Sequence, residues 1–448
     1  MKNSELNNIM LSNQILFDRN KKIMWHPFTQ AQTNTDIIPI KKGIGSYVYD
    51  YNDKPYLDLI SSWWVTLHGH GHPKIAEAIY QQAINLEHVI FAGFTHEPAI
   101  ILCEELQKNL PKMLKRFFFS DNGSTAVEVA IKMAYQYWKN LGYKNKKHFI
   151  SFSGGYHGDT LGCMSLGKES GFHNNFTELL FDVLFIPYPS TWNNDKNIEI
   201  KEQNSILVLK DYINNNTDSI AAIIIEPLVQ GASGMKFSTT QFIKTIVNIA
   251  RNNNILIIFD EIMTGFYRTG SYFALDAINI VPDILCLSKG ITGGFLPLAL
   301  TIATEEIYNA FLGEKFEKAL AHGHSYTANP LACSAAIASL KLLASAECQK
   351  SIYNINLAHK NSIELLENVN FIEKIRILGT ILAFDIKNNS KVCMLQYMTK
   401  LKKQFLLEGL LLRPLGNTIY ILPPYSTSYD DLINSYEKII KILNNNSL

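Results

Sequence analysis

The stretch ILIIFDEIMTGFYRTGSYFALDAINIVPDILCLSKGITGG, residues 255–294, holds two short apolar runs, each closed by a charged residue. The first, 255–260, ends on Asp260 and Glu261, and the second, 283–288, runs into Lys289 and a glycine-rich turn. Apolar runs of this length, bounded by turn residues, read as strands buried on both faces, the pattern of a parallel sheet. A connection of helical length separates them. In such a sheet the carboxyl ends of the strands gather along one edge, where ligands bind, so the acid and the lysine should meet there. The pair could serve as an ion pair alone, and the other strand ends decide between the readings.

Five further runs read as strands of the same parallel sheet: RFFFS (116–120), HFISF (148–152), DVLFIP (182–187), IAAIIIEP (220–227) and LALTIAT (298–304). Helical patterns lie between most of them. The clearest starts near Thr125, with Val127, Ile131, Ala134 and Trp138 on one face and capping-box spacing between Thr125 and Glu128. The alternation predicts an α/β fold, with a large doubly wound, mostly parallel sheet domain over 61–344. After residue 345 the pattern changes: GLLLRPLGNTIYILPPY (409–425) reads as two strands around a Gly-Asn turn, and the chain ends in an amphipathic helix carrying Leu432, Ile433, Tyr436, Ile439, Ile440 and Leu443. Residues 45–60 also look strand-like. Both ends, 1–60 and 345–448, are therefore assigned to one smaller α+β domain, a division that suits a chain of 448 residues. The Asn-rich clusters at 214–216, 252–254 and 444–446 read as solvated loops or a frayed end.

Lysine and arginine number 41 against 40 acids, so no basic excess points to nucleic acid. Six cysteines without a CxxC spacing fit free thiols in a reducing compartment. The first twenty residues lack the apolar centre of a signal peptide, and no apolar run approaches the roughly eighteen residues that cross a bilayer. A soluble cytoplasmic protein with no membrane or nucleic-acid partner is expected.

A third strand end opens through Asn122, Gly123, Ser124 and Thr125 directly onto a helix, which offers free N–H groups and a positive dipole end to a phosphate. It is neither a Walker loop nor GxGxxG, and alone it reads as an N-cap. A fourth, SGGYHGDTLG, places Tyr156, His157 and Asp159 after a glycine pair, with an aromatic able to stack on a flat ligand. A phosphate cradle, a carboxylate, a flat aromatic and a partly buried lysine together fit pyridoxal 5′-phosphate (PLP). The amine of Lys289 would bond to the aldehyde, Asp260 would keep the ring nitrogen protonated, and the helix N-terminus would hold the phosphate.

The blocks FFFSDNGSTAVEVAIKMAYQYW, SGGYHGDTLG, IIIEPLVQGASGM, IIFDEIMTGFYRTG and PDILCLSKGITGGFLPLALTIAT resemble, in order, those of the class III aminotransferases, over about residues 25–424. The resemblance implies the fold type I architecture of PLP-dependent transferases and assigns Lys289 as the catalytic lysine. MWHPFTQ (24–30), DLISSWWVTLHGHGHP (58–73) and LLRPLGNTIYILPPY (411–425) are similar to the biotin-biosynthesis branch, which aminates 8-amino-7-oxononanoate with S-adenosylmethionine, or another amine such as lysine, as donor, in two half-reactions through one site. By that resemblance Phe28, Trp63, Trp64, Tyr156, Lys289, Gly323 and Arg413 bind substrate, while Gly123, Ser124, Tyr156, Asp260, Lys289, His324 and Ser325 bind cofactor. Asp159 and Glu226 orient groups around them. An indole pair suits an aliphatic chain, and the Arg413 fork suits its carboxylate. If Trp63 and Trp64 lie on a strand they face opposite ways, and one of them packs in the core. LAHGHSYTANPLACSAA (320–336) is similar to the segment that reaches the neighbouring subunit's cofactor, which implies a homodimer.

Two places depart from the pattern, one a single residue and one a pair. Phe28 stands where tyrosine is common, and loss of its hydroxyl costs about 0.5–1.5 kcal/mol of binding. His324-Ser325 stands where the family often has Pro-Thr. Three other readings compete. A non-catalytic PLP-binding relative is opposed by the intact Lys289–Asp260 pair. Another is a class III enzyme acting on ornithine, 4-aminobutyrate or a similar ω-amine, against which the indole pair and Arg413 argue. The third is a metal protein built on His68, His70 and His72 or His322 and His324, which no cysteine or HExxH pattern completes, so no metal is expected.

Overall fold

The computed structural model describes residues 12–33, 37–216, 218–387 and 393–446. All seven runs form strands of one sheet, in the order Leu114–Ser120, Ala299–Thr304, Ile284–Leu287, Leu256–Asp260, Ile220–Ile225, His148–Phe152 and Val183–Ile186. The runs are nearly uniform in Ile, Val, Leu and Phe because helices cover both faces. Every residue of Ile220–Ile225 and Leu256–Asp260 is buried, each large aliphatic side chain contributing about 1.5–3 kcal/mol.

One strand departs from the expectation. Ala299–Thr304 runs antiparallel to both neighbours, because the link from Leu287 is too short for the crossover that a parallel partner needs. The other six point the same way, so their carboxyl ends share one edge. Register places Asp260 opposite Cys286, three residues before Lys289.

The helix Gly123–Asn140 buries Val127, Ile131, Ala134 and Trp138, as the periodicity predicts. Its cap differs. Asn122 accepts the Thr125 N–H and the Thr125 hydroxyl accepts the Asn122 N–H, so the box lies three residues upstream of the predicted one. Glu128 instead accepts from the Thr160 hydroxyl and the N–H groups of Gly162 and Cys163, tying this helix to the next connection.

The two ends of the chain meet in a four-stranded sheet, Ile40–Ile44, Tyr47–Asp50, Pro55–Asp58 and Leu410–Leu411. The predicted hairpin over 409–425 is not formed. Leu410–Leu411 pairs in parallel with Pro55–Asp58, and Thr418–Ile421 joins Ile372–Leu378 and Ile381–Ile386 in a separate sheet. Pro414 lacks the N–H a ladder needs, and only a bridge between Leu415 and Thr418 remains. Asn214–216 closes the helix Ile198–Asn216 rather than forming a loop. The terminal helix Tyr429–Asn445 buries Leu432, Tyr436, Ile439 and Leu443. All six cysteines are free thiols, four of them buried. Among the described residues no single helix is long and apolar enough to cross a membrane.

Candidate active site

Five of the aligned strand ends contribute to a cavity of about 430 Å³. After Ser120 come Asn122, Gly123 and Ser124; after Phe152, Tyr156 and His157; after Ile225, Glu226; then Asp260 itself; and after Leu287, Lys289. Lys289 takes a left-handed backbone, φ 45°, at a cost of about 1–3 kcal/mol for a residue with a Cβ. Among the described residues its ammonium nitrogen has no hydrogen-bond partner, and it stands 5.0 Å from the centroid of the Trp64 ring. Burial draws the pKa of this amine down, against the opposing pull of Asp260 and Glu226. Burial is the larger effect and moves Lys289 toward the neutral amine that a nucleophile or base requires.

Asp260 is held from two sides. Its Oδ2 accepts from His157 Nδ1 at 2.7 Å, and its Oδ1 accepts the Ile262 N–H at 3.1 Å. The adjacent Glu261 has a different use. It points away, accepts the N–H groups of Ala274 and Leu275, and so caps a helix; burial raises its pKa to about 7. Glu226 accepts the N–H of Tyr156 at 2.9 Å and of Gly231 at 3.0 Å. Burial raises its pKa to about 7, helped by Asp260 and opposed by His157 and the two N–H groups.

The helix start leaves the N–H groups of Gly123 and Ser124 without intrahelical acceptors. Beside them Gly158, φ 127°, leaves room that a Cβ would fill by overlapping Ser124 Oγ, and that hydroxyl accepts the Asp159 N–H at 3.2 Å. Tyr156 donates to Asp159 Oδ2 at 2.8 Å and stacks on His173 at 16°. An amide cradle, a hydrogen-bonded carboxylate and an unpartnered lysine, all facing one cavity, fit the phosphate, ring nitrogen and aldehyde of PLP in the order that the sequence suggests.

The opposite wall is aromatic. Phe28 meets Trp63 edge-on at 5.7 Å and Phe172 at 5.9 Å, and Phe172 meets Tyr156 at 5.8 Å. The Arg413 guanidinium lies 4.4 Å over Trp63, and no described carboxylate pairs with it. The two tryptophans are not on a strand. Ser61–Trp64 is one irregular turn with Ser61, Ser62 and Trp64 at φ 50°, 60° and 68°, so both indoles reach the cavity instead of facing opposite ways. Trp63 is 39 % exposed, while Trp64 is buried and donates to the Tyr420 hydroxyl at 3.0 Å.

Gly323, His324 and Ser325 do not join this cavity. They lie in the loop before the helix Pro330–Leu343, where the Ser325 carbonyl meets His88 and the neighbouring His322 meets Lys132. His324 Nε2 has no partner among the described residues, and a Cβ on Gly323 would meet open space. Of the other three histidines in the metal reading, His68 bonds Ser339, His70 bonds Asp58, and His72 meets the His68 ring edge-on at 6.2 Å. Among the described residues no three potential metal ligands come together. His157, Phe172 and Tyr420 are among the cavity residues to which the sequence assigns no role. His157 was visible in SGGYHGDTLG but not its contact with Asp260. Phe172 comes from the irregular stretch 168–179, which carries no periodic signal, and Tyr420 comes from a strand of another sheet.

The Aminotransferase class-III family profile matches residues 28–443. Curated relatives include the adenosylmethionine-8-amino-7-oxononanoate aminotransferases of Synechococcus elongatus, 46% identical over 94% of this chain and 98% of that protein, and of Helicobacter pylori, 42% identical over 94% and 95%. Among solved structures, the enzyme of that name from Methanocaldococcus jannaschii superposes with a TM-score of 0.90 at 33% identity, covering 97% of this chain and 100% of that one. A PLP-bound amine transaminase from an uncultivated Pseudomonas species superposes at 0.87 with 28% identity, covering 93% and 98%. The order of the sheet, the strand-end lysine and acid, and a match running through nearly the whole length agree: this chain belongs to the class III aminotransferases.

Proposed function

We propose that the chain transfers an amino group from S-adenosylmethionine to the ketone of 8-amino-7-oxononanoate, with PLP as cofactor, as a step of biotin biosynthesis. One observation carries the reading: a single cavity joins the unpartnered amine of Lys289 to an aromatic wall ending in the unpaired guanidinium of Arg413. Relatives named for this reaction, up to 46% identical, support the choice of substrates.

Gly123 and Ser124 would hold the phosphate, Asp260 the protonated ring nitrogen, and Tyr156 one side of the ring. PLP, when bound, would supply an electron-withdrawing ring and an aldehyde reactive toward amines. Lys289 would be both the covalent anchor and the base that takes a proton from the amine-bearing carbon of the donor and later delivers one to the corresponding carbon of the acceptor. His157 fixes the Asp260 carboxylate, and Glu226, through the Tyr156 N–H, fixes the aromatic. Asp159 fixes the Tyr156 hydroxyl. Phe28, Trp63 and Trp64 remove the aliphatic chain from water while Arg413 takes its carboxylate, so binding energy orients the reacting end.

The working unit in this reading is a homodimer in the cytoplasm, each copy bringing Gly323 toward the partner's substrate and His324 and Ser325 toward its phosphate. The position of that loop outside its own chain's cavity supports this, and free thiols suit a reducing compartment. The lobes are 61–344 and the joined ends 1–60 and 345–448, which the pairing of Pro55–Asp58 with Leu410–Leu411 supports. The test is to supply 8-amino-7-oxononanoate with candidate donors in turn and detect 7,8-diaminononanoate by mass spectrometry. Product with S-adenosylmethionine is expected, and no product with any donor overturns the assignment.

A further inference from the structure

We infer that Asp58 and His70, neither of which touches the cavity, are positioning residues that lock the 61–64 turn and thereby set the two indoles as the substrate wall. The inference rests on the reading that this wall takes a long apolar acid.

The turn is strained. Ser61, Ser62 and Trp64 all carry positive φ, a conformation that persists in residues with a Cβ only where the surroundings over-determine it. Asp58 supplies much of that determination. It ends the strand Pro55–Asp58, is fully buried, and its Oδ1 accepts the Ile60 N–H at 3.1 Å. Its Oδ2 accepts the Ser62 N–H at 2.7 Å, the Ser62 hydroxyl at 3.4 Å and His70 Nε2 at 3.0 Å. One carboxylate thus gathers two of the backbone donors that lead into Trp63.

His70 is the only side chain from outside 58–62 that hydrogen-bonds to this carboxylate among the described residues. It is pinned in turn. Its N–H donates to the Gly45 carbonyl at 2.7 Å, and its ring packs on Gly43 so closely that a Cβ there would sit 2.5 Å from His70 Cβ and 2.8 Å from Cγ. The glycine therefore fixes where the imidazole stands, the imidazole steadies the carboxylate, and the carboxylate holds the turn. Beyond the turn the two indoles diverge to their separate partners, Trp63 under Arg413 and Trp64 between Tyr420 and Lys289. A loosened turn should misplace both of them while leaving the strand-end chemistry intact.

Protein labelled with 5-fluorotryptophan gives five ¹⁹F resonances, for Trp25, Trp63, Trp64, Trp138 and Trp192, assigned by single Trp→Phe variants. In both His70→Ala and Gly43→Ala the Trp63 and Trp64 resonances should move while the other three stay. The KM for 8-amino-7-oxononanoate should rise about tenfold with kcat within about twofold, a loss of orientation rather than of chemistry. His70→Gln, whose amide can donate from a similar place, should restore both readouts. Unmoved Trp63 and Trp64 resonances in the two variants would overturn the inference. So would movement of all five with a lowered melting temperature, or a Gln variant indistinguishable from Ala. If the unsubstituted protein fails to turn over the ketone, the proposed substrate is wrong, and the ¹⁹F shifts still decide this inference.

Discussion

The wall of the cavity that carries Asp260 and Lys289 rises directly from the ends of Leu256–Asp260 and Ile284–Leu287, whereas the wall that carries Phe28, Trp63 and Arg413 is assembled from segments that belong to no strand of that sheet. The first wall is polar, buried and fixed by the register of a fully covered sheet. The second is aromatic and partly open, with Phe28 and Trp63 both exposed at the surface of this chain. The difference teaches a division of labour. Charge must be placed accurately to act on a reacting atom, and paired strands hold it; an aliphatic chain needs area, which turns and loops from both chain ends can supply. Substitutions should accordingly separate, those on the first wall lowering kcat and those on the second raising KM.

The sharpest contrast is expected at Lys289. Under the proposed roles, Lys289→Ala would remove the covalent anchor and the proton carrier together, so single-turnover deamination of the donor should slow by at least about 10⁴-fold. A loss confined to KM would erase the distinction between the walls.

Glu226 tests how costly the buried polar wall is. Its pKa in the fold is about 7 against an ordinary value of 4.5, and an acid whose folded pKa is raised favours the fold in its protonated form. That contribution is complete below pH 4.5 and is lost as pH rises through 7, on the order of 3 kcal/mol in all. Glu226→Gln should remove this dependence, so the melting temperature of the variant relative to the unsubstituted protein should climb from pH 5 to pH 8. A constant difference across that range would mean that the carboxylate is not penalised where it lies.

On the second wall, Arg413→Lys exchanges a planar fork for a point charge. Loss of a charge-assisted bond, about 1.5–3 kcal/mol, should raise the KM for the keto acid about 10- to 100-fold with little change in kcat. The smallest effect belongs to Phe28→Tyr, which adds a hydroxyl at a half-exposed ring beside Trp63 and Phe172. Steady-state kinetics should show KM falling by about 2- to 10-fold, the equivalent of one hydrogen bond of about 0.5–1.5 kcal/mol.

The same division governs what can be read without coordinates. Apolar runs ending in Asp260 and Lys289 are legible because a covered parallel sheet imposes a compositional pattern and an edge where its ends must meet. The antiparallel course of Ala299–Thr304 was not, since burial on both faces looks the same in either direction. The cap at Asn122 was displaced because Asn and Thr can each serve, and the choice depends on Glu128 being taken by Thr160 and its neighbours. On the second wall the identities of Trp63, Trp64 and Arg413 stood out, but not their arrangement. Three positive φ values in 61–64 follow from a carboxylate at 58 and an imidazole at 70, a contact that no local pattern announces. Phe172 gave no signal at all.

If the unpartnered amine of Lys289 is the point where a PLP aldehyde attaches, trapping that bond will locate it there. The protein should be mixed with PLP, reduced with borohydride, digested and mapped by mass spectrometry. A yellow protein is expected, its colour bleached on reduction, with a single pyridoxyl group on the peptide containing Lys289. A protein that stays colourless, or one labelled at some other lysine with Lys289 untouched, would contradict it.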